Sequence, residues 1–127
     1  MLNATNTAKA PAAIGPYSQA ISYGNLLFTS GQIALDPNTG EMVGNDVASQ
    51  AELVMQNLSA VLEANGIGFD RVIKATCFLA DMADFAAFNA VYAKYFSTDP
   101  KPARSAVAVR ALPKGALCEV EVVAALS

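Results

Sequence analysis

The stretch from Asp46 to Gly66 constrains the fold of this chain more than any other. Val47, Ala51, Val54, Leu58, Val61 and Leu62 recur at helical spacing after Asp46, a good N-cap, and Asn65-Gly66 supplies a C-terminal stop. The spacing predicts a helix over Val47–Asn65 with one apolar stripe, which another layer must cover. The flanking segments supply that layer as strands: Ser18–Tyr23 and Leu26–Ile33 around the turn Gly24-Asn25, Val72–Leu79, Arg104–Arg110 and Leu117–Ala124. A second helix is expected to open at Asp81 or Met82. Its stripe of Phe85, Phe88, Tyr92, Tyr95 and Phe96 reads as core, and Pro100 and Pro102 end that region. Residues 1–13 read as an irregular arm. Asp36-Pro37-Asn38-Thr39-Gly40 is a turn without the spacing of a calcium loop, and Gly66-Ile67-Gly68 follows a helix where a phosphate loop would precede one. Strands, helix, strand, helix and two strands make an α+β sandwich, a mixed β-sheet with two helices on one face.

The chain has 127 residues, enough for one domain (1–127) and too few for two independent cores. Hydrophobic residues make up 54% and charged ones 15%, which marks a packed chain, and a mean hydropathy of +0.34 leaves apolar surface for contact between subunits. A homo-oligomer is expected. With a net charge of −3 and eight scattered Lys and Arg, there is no basic stripe of the kind that grips phosphate backbones, so nucleic acid is not expected as a partner. No segment approaches the ~20 apolar residues of a membrane span, and the start of the sequence does not read as an export signal. Cys77 and Cys118 therefore read as buried thiols of a cytoplasmic protein. There is no histidine, which removes Ser-His nucleophile systems and most zinc sites. No metal or other cofactor is expected, and the chemistry falls to Arg, Glu, Asp, Tyr, Lys, Ser, backbone groups and water.

The last two predicted strands hold the informative charges. Arg104, Ala106, Ala108 and Arg110 share one strand face. Glu119 and Glu121 share another, opposite the apolar Cys118, Val120, Val122 and Ala124. A solvated strand face is the plain reading of such charges, but two details point beyond it. Lys101-Pro102-Ala103 holds the chain stiff and extended just before Arg104, and the guanidinium fork suits a carboxylate bidentately. If the short connection Leu112-Pro113-Lys114-Gly115 closes these strands into an antiparallel hairpin, Glu119 faces the region of residue 108. Arg104 then lies on the order of 13 Å further along, at ~3.4 Å per residue. Two groups so placed serve one small substrate only in a site shared between neighbouring subunits.

Ala13-Ile14-Gly15-Pro16-Tyr17-Ser18-Gln19-Ala20, Phe28-Thr29-Ser30-Gly31-Gln32-Ile33, Pro102-Ala103-Arg104-Ser105, Leu112-Pro113-Lys114-Gly115 and Glu119-Val120-Glu121 occur in this order. Together they resemble the Rid family of reactive-intermediate deaminases (YjgF/RidA type), collinearly over essentially the whole chain. The resemblance implies a chorismate-mutase-like fold and a homotrimer whose sheets form a central barrel, with clefts between adjacent subunits. It implies cofactor-free hydrolysis of 2-imino acids (2-iminobutanoate, 2-iminopropanoate) to 2-keto acids and ammonia. By the same likeness Arg104 clamps the substrate carboxylate, Glu119 orients the attacking water, and Tyr17, Ser30, Gly31 and Asn89 line the cleft. Many family members carry Cys where this chain has Ala106, so a role there through the backbone N–H survives and a thiol role does not. Ser97–Lys101 looks shorter than in some relatives, and Cys118 stands where an aliphatic residue is usual. Two rival readings remain: a non-catalytic trimer that binds small carboxylates in the same cleft, and the ribonuclease or translation-inhibitor role proposed for some relatives.

Overall fold

The computed structural model describes residues 1–127. Asp46 caps α1 (Val47–Glu63), its carboxylate accepting from the Ser49 backbone N–H at 2.8 Å and from the Ser49 hydroxyl at 2.6 Å. The helix stops two residues short of the expected Asn65. Ala64 forms the C-cap, Gly66 follows in the left-handed region at φ +75°, and the Asn65 amide donates to Val61 O and Thr5 Oγ1, both at 2.9 Å. Asp81 caps a single 3₁₀ turn, Met82–Asp84, by accepting from the Ala83 N–H, and that turn leads into α2 (Phe85–Tyr95).

The strands are β1 (Asn3–Thr5), β2 (Ala20–Tyr23), β3 (Leu26–Thr29), β4 (Val72–Leu79), β5 (Ala103–Ala108) and β6 (Cys118–Ala125). They form one mixed sheet in the order β1-β2-β3-β6-β4-β5, antiparallel except for the parallel β4–β5 pair. The supposed irregular arm thus contributes an edge strand. β1 is only three residues long and has no apolar alternation, so periodicity could not reveal it. Beyond it the arm is tied down by the buried Gln19 amide, which accepts from Thr7 N–H at 2.8 Å and donates to Thr7 O at 3.0 Å and Pro11 O at 2.9 Å. β3 ends at Thr29 instead of Ile33. The chain leaves the ladder there and rejoins it by a single bridge between Gln32 and Val120.

The proposed hairpin between the last two strands does not form, because β4 lies between β5 and β6. Cys77 on β4 pairs with Ala106 on one side and Val120 on the other. The short Pro113–Gly115 turn is the end of a crossover that carries the chain past β4. Parallel pairing of β5 with β4, joined through α2, is the familiar β-α-β arrangement.

One sheet face is the core. Val72, Ala75, Cys77 and Leu79 of β4 and Cys118, Val120, Val122 and Ala124 of β6 pack with the α1 stripe and with Phe88, Val91 and Tyr92 of α2 in one cluster. Both helices therefore cover the same face. The other face has no covering layer within the chain, and Tyr23, Leu26, Phe28 and Val107 are 38–60% exposed on it.

Candidate functional site

Arg104 occupies the edge strand β5 and pairs in register with Ala75, whose side chain is fully buried, so its own side chain projects on the helix-covered side. There it meets α2. Its Nη1 donates to Asn89 Oδ1 at 2.5 Å, and the guanidinium carbon stands 4.7 Å from the Tyr92 ring centroid and 5.4 Å from that of Phe85. No carboxylate lies within ion-pair distance. The two ion pairs of the chain are Lys94–Glu52 and Lys101–Asp99. Arg104, Asn89, Tyr92, Phe96 and Lys101 line a cavity of about 360 Å³. The backbone edge is also open. Val109 N–H donates to Leu79 O, and amides alternate in direction along a strand, so those of Arg104, Ala106 and Ala108 point away from β4. The Ala106 side chain packs against the core and is not part of the cavity beside Arg104.

Glu119 lies on β6, paired with Phe78, and points to the opposite face of the sheet. With Tyr17, Gly31 and Lys114 it lines a second cavity of about 320 Å³. The departure of the chain from β3 brings Gly31 directly over the carboxyl group. A Cβ there would meet Glu119 Cδ at 2.8 Å and Oε2 closer still, so the absence of a side chain at residue 31 makes room for the carboxylate. Burial, and secondarily the neighbouring Glu121 charge, push the Glu119 pKa up from its ordinary value. Lys114 takes a left-handed backbone at φ +56°, a conformation that a non-glycine residue adopts at some cost in strain. Ser30 does not reach this cavity. Its hydroxyl donates to Ser18 O at 2.6 Å and its N–H to Gln19 O at 2.9 Å, which anchors the segment carrying Tyr17.

The expected residues therefore fall into two separate clusters on opposite faces of the sheet. Arg104 with Asn89 makes one, and Glu119 with Tyr17 and Gly31 makes the other. The register sets Arg104 two strands and three residues away from Glu119, a Cα separation of about 14 Å, with the side chains on opposite faces. The hairpin that first suggested a long separation is absent, yet the separation persists for this different reason. Sequence reasoning missed Tyr92 and Phe85 as contacts of Arg104, because an aromatic stripe at helical spacing is indistinguishable from plain core. It also missed the left-handed Lys114, although Pro113-Lys114-Gly115 signalled a turn. The two thiols stay clear of this chemistry: burial raises Cys77 to about 11 and Cys118 to about 12, which keeps both protonated.

A sequence profile described as Endoribonuclease L-PSP, the YjgF/Rid family, matches residues 7–126. The chain belongs to the Rid family. Its relatives within the family include a RutC family protein of Pyrococcus horikoshii, 53% identical over 118 residues that cover 93% of each chain. Reactive Intermediate Deaminase A of Arabidopsis thaliana, a chloroplastic protein, is 50% identical over 121 residues, covering 95% of this chain and 64% of that one. Among solved structures, the Rid protein YyfA of Yersinia pestis superposes with a TM-score of 0.96 at 45% identity over 98% of this chain and 99% of that one. Escherichia coli TdcF, solved with bound serine, superposes at 0.91 with 42% identity over 98% and 99%. Two helices against a six-stranded mixed sheet is thus the fold of this Rid protein and of its neighbours. No helix is long and apolar enough to cross a membrane.

Proposed function

We propose that this Rid protein hydrolyses 2-imino acids such as 2-iminobutanoate and 2-iminopropanoate to 2-keto acids and ammonia. The site is completed where the Arg104 half-site of one protomer meets the Glu119 half-site of its partner in a homotrimer. The observation that carries the reading is Arg104 itself. It is a guanidinium held by a neutral amide and two aromatic rings, with no carboxylate of its own and with an unpaired strand edge beside it. A cation without an internal counter-ion is suited to an external one. Reactive Intermediate Deaminase A among its relatives, and the serine bound in E. coli TdcF, agree with a small amino-acid-like carboxylate as that ion.

The chemistry follows from these groups. Arg104 holds the carboxylate through its remaining N–H groups, and the outward Ala106 N–H adds a donor on the same edge. The protonated imine carbon is already electrophilic, so the protein has only to place a water and take its proton. The raised pKa of Glu119 suits it to that task, since it binds a proton more readily than an exposed carboxylate. As the water oxygen bonds to the imine carbon, Glu119 accepts the water proton and a carbinolamine forms. Glu119 returns the proton to nitrogen and, ionised again, takes the hydroxyl proton of the carbinolamine as the C–N bond breaks, so that ammonia leaves, the 2-keto acid remains and the proton passes from Glu119 to solvent. Water, one carboxylate and one guanidinium suffice for every step. The description attached to the family names RNA cleavage, but a chain of net charge −3 lacks the basic surplus that phosphate backbones demand, which places imine hydrolysis first.

The test is a coupled assay in which a pyridoxal-phosphate-dependent threonine dehydratase generates the imine. Loss of two charge-assisted hydrogen bonds in Arg104→Ala is expected to lower kcat/KM by about 10²- to 10⁴-fold. Unchanged clearance of imine by a folded Arg104→Ala protein of native assembly state would sink the assignment. The second reading is a non-catalytic trimer that binds small carboxylates in the same cleft, and the serine-bound TdcF structure is equally consistent with it. Tight 2-oxobutyrate binding without faster imine loss would select it.

A further inference from the structure

Tyr92 lies under the cation of the proposed site. Its ring is the nearer of the two beneath Arg104, and the residue is only 7% exposed. Phe96 packs against it at 4.5 Å between centroids, tilted by 34°, and Phe88 at 6.0 Å. The ring cannot swing without disturbing the core. Its hydroxyl is buried with no hydrogen-bond partner, so the group that distinguishes Tyr from Phe makes no polar contact in the fold, and what the residue supplies is its aromatic face. Asn89, one helical turn earlier on the same face of α2, accepts from Nη1.

We propose that Tyr92 is a positioning residue for Arg104: its ring face and the Asn89 carbonyl hold the guanidinium in one orientation, leaving the remaining N–H groups for the carboxylate of a 2-imino or 2-keto acid. The inference rests on the carboxylate reading above. A long, exposed Arg side chain samples many rotamers, and the apparent affinity for an anion falls by the fraction of time spent in the competent one. A π-face beneath the cation removes that freedom before the ligand arrives. Burial also pushes the Tyr92 phenol up to about 12, so the ring remains neutral throughout the working pH range.

Replacing Tyr92 by Phe and by its mono-, di- and trifluorinated analogues keeps the shape while draining negative charge from the ring face. Two quantities are read across the series: the Kd for 2-oxobutyrate and the mobility of the Arg104 Nε–H by nitrogen-15 relaxation. Tyr92→Phe is expected to retain parental affinity. The trifluorinated ring is expected to raise Kd about 5- to 30-fold, the range that full loss of Arg ordering allows, with kcat nearly constant and Arg104 more mobile. A packing role alone would move the melting temperature and leave both quantities where they were. A Kd that is flat across the series overturns the inference. If the parent protein binds no 2-oxobutyrate, the carboxylate reading fails by itself. Arg104 mobility then decides Tyr92 separately, and unchanged mobility overturns the inference.

Discussion

Gly31 and Glu119 are useful at the residue scale because each separates stability from activity. Gly31 lacks a positive φ, so Gly31→Ala introduces no backbone strain, and the clash falls on the movable end of Glu119. The variant is expected to fold normally, by circular dichroism and melting, while the displaced carboxylate lowers kcat by about 100-fold. For Glu119 the direction of the pKa shift sets two pH effects. A carboxyl whose pKa is raised on folding contributes stability below its unfolded pKa, and that contribution is lost as pH rises through the folded value. Ionised Glu119 is therefore a burden at neutral pH. Glu119→Gln is expected to melt higher than the parent at pH 7, an advantage that disappears in acid, and to lose imine hydrolysis. The acid limb of the parent kcat profile is expected above the ordinary carboxylate range, because the base must be ionised to act. The sequence motifs named Arg104, Glu119, Tyr17, Gly31 and Asn89 as candidates. Which of them touch one another was not legible, since contact depends on strand order. Ser30 shows the limit, matching a motif while its hydroxyl turns away to hold Ser18 O.

Among the elements, α1 was almost fully written in the sequence. Its cap, stripe and stop are all local, and only its last two residues differ from expectation. The stripe is deeply buried, Leu58 completely so, and Leu58→Ala is expected to lower unfolding stability by about 2–5 kcal/mol in denaturant titration. Asp46 has its pKa lowered by the Ser49 hydrogen bonds, so its contribution is present above its unfolded pKa and is lost as pH falls through the folded one. The difference in melting temperature between the parent and Asp46→Ala is accordingly expected to shrink towards acid pH. The strands were less legible. β4 and β6 have clear apolar alternation, whereas β1 has none, and β3 is cut short by a loop that carries Gly31 over Glu119. β5 runs Ala103–Ala108, two residues short of the expected end at Arg110, and lies beside a different neighbour from the one expected. A short connection is good evidence for a hairpin only when no third strand can slip between, and nothing local in Ala103–Ala125 reveals β4.

For the whole molecule, the proposed shared site draws on the uncovered sheet face and on the separation of Arg104 from Glu119. Tyr23, Leu26, Phe28 and Val107 are exposed on a sheet face that the proposed homotrimer, with its sheets inward, would bury. Phe28→Glu would place a charge in that contact. It is expected to give monomers by sedimentation equilibrium and to abolish imine hydrolysis without touching either half-site. A fully active monomer would contradict the shared site.

The sequence by itself determined the class of fold, the limits of the first helix to within a turn and the place of the second, the apolar side of the central strands and the residue types available for chemistry. These are consequences of local periodicity, capping and composition, which need no knowledge of distant segments. Tertiary structure alone decided that β4 separates β5 from β6, that Arg104 and Glu119 face opposite sides of the sheet, and that an aromatic ring from α2 lies beneath the guanidinium. Those outcomes arise from burying all the apolar faces at once, a condition on the whole chain that no short window of residues contains.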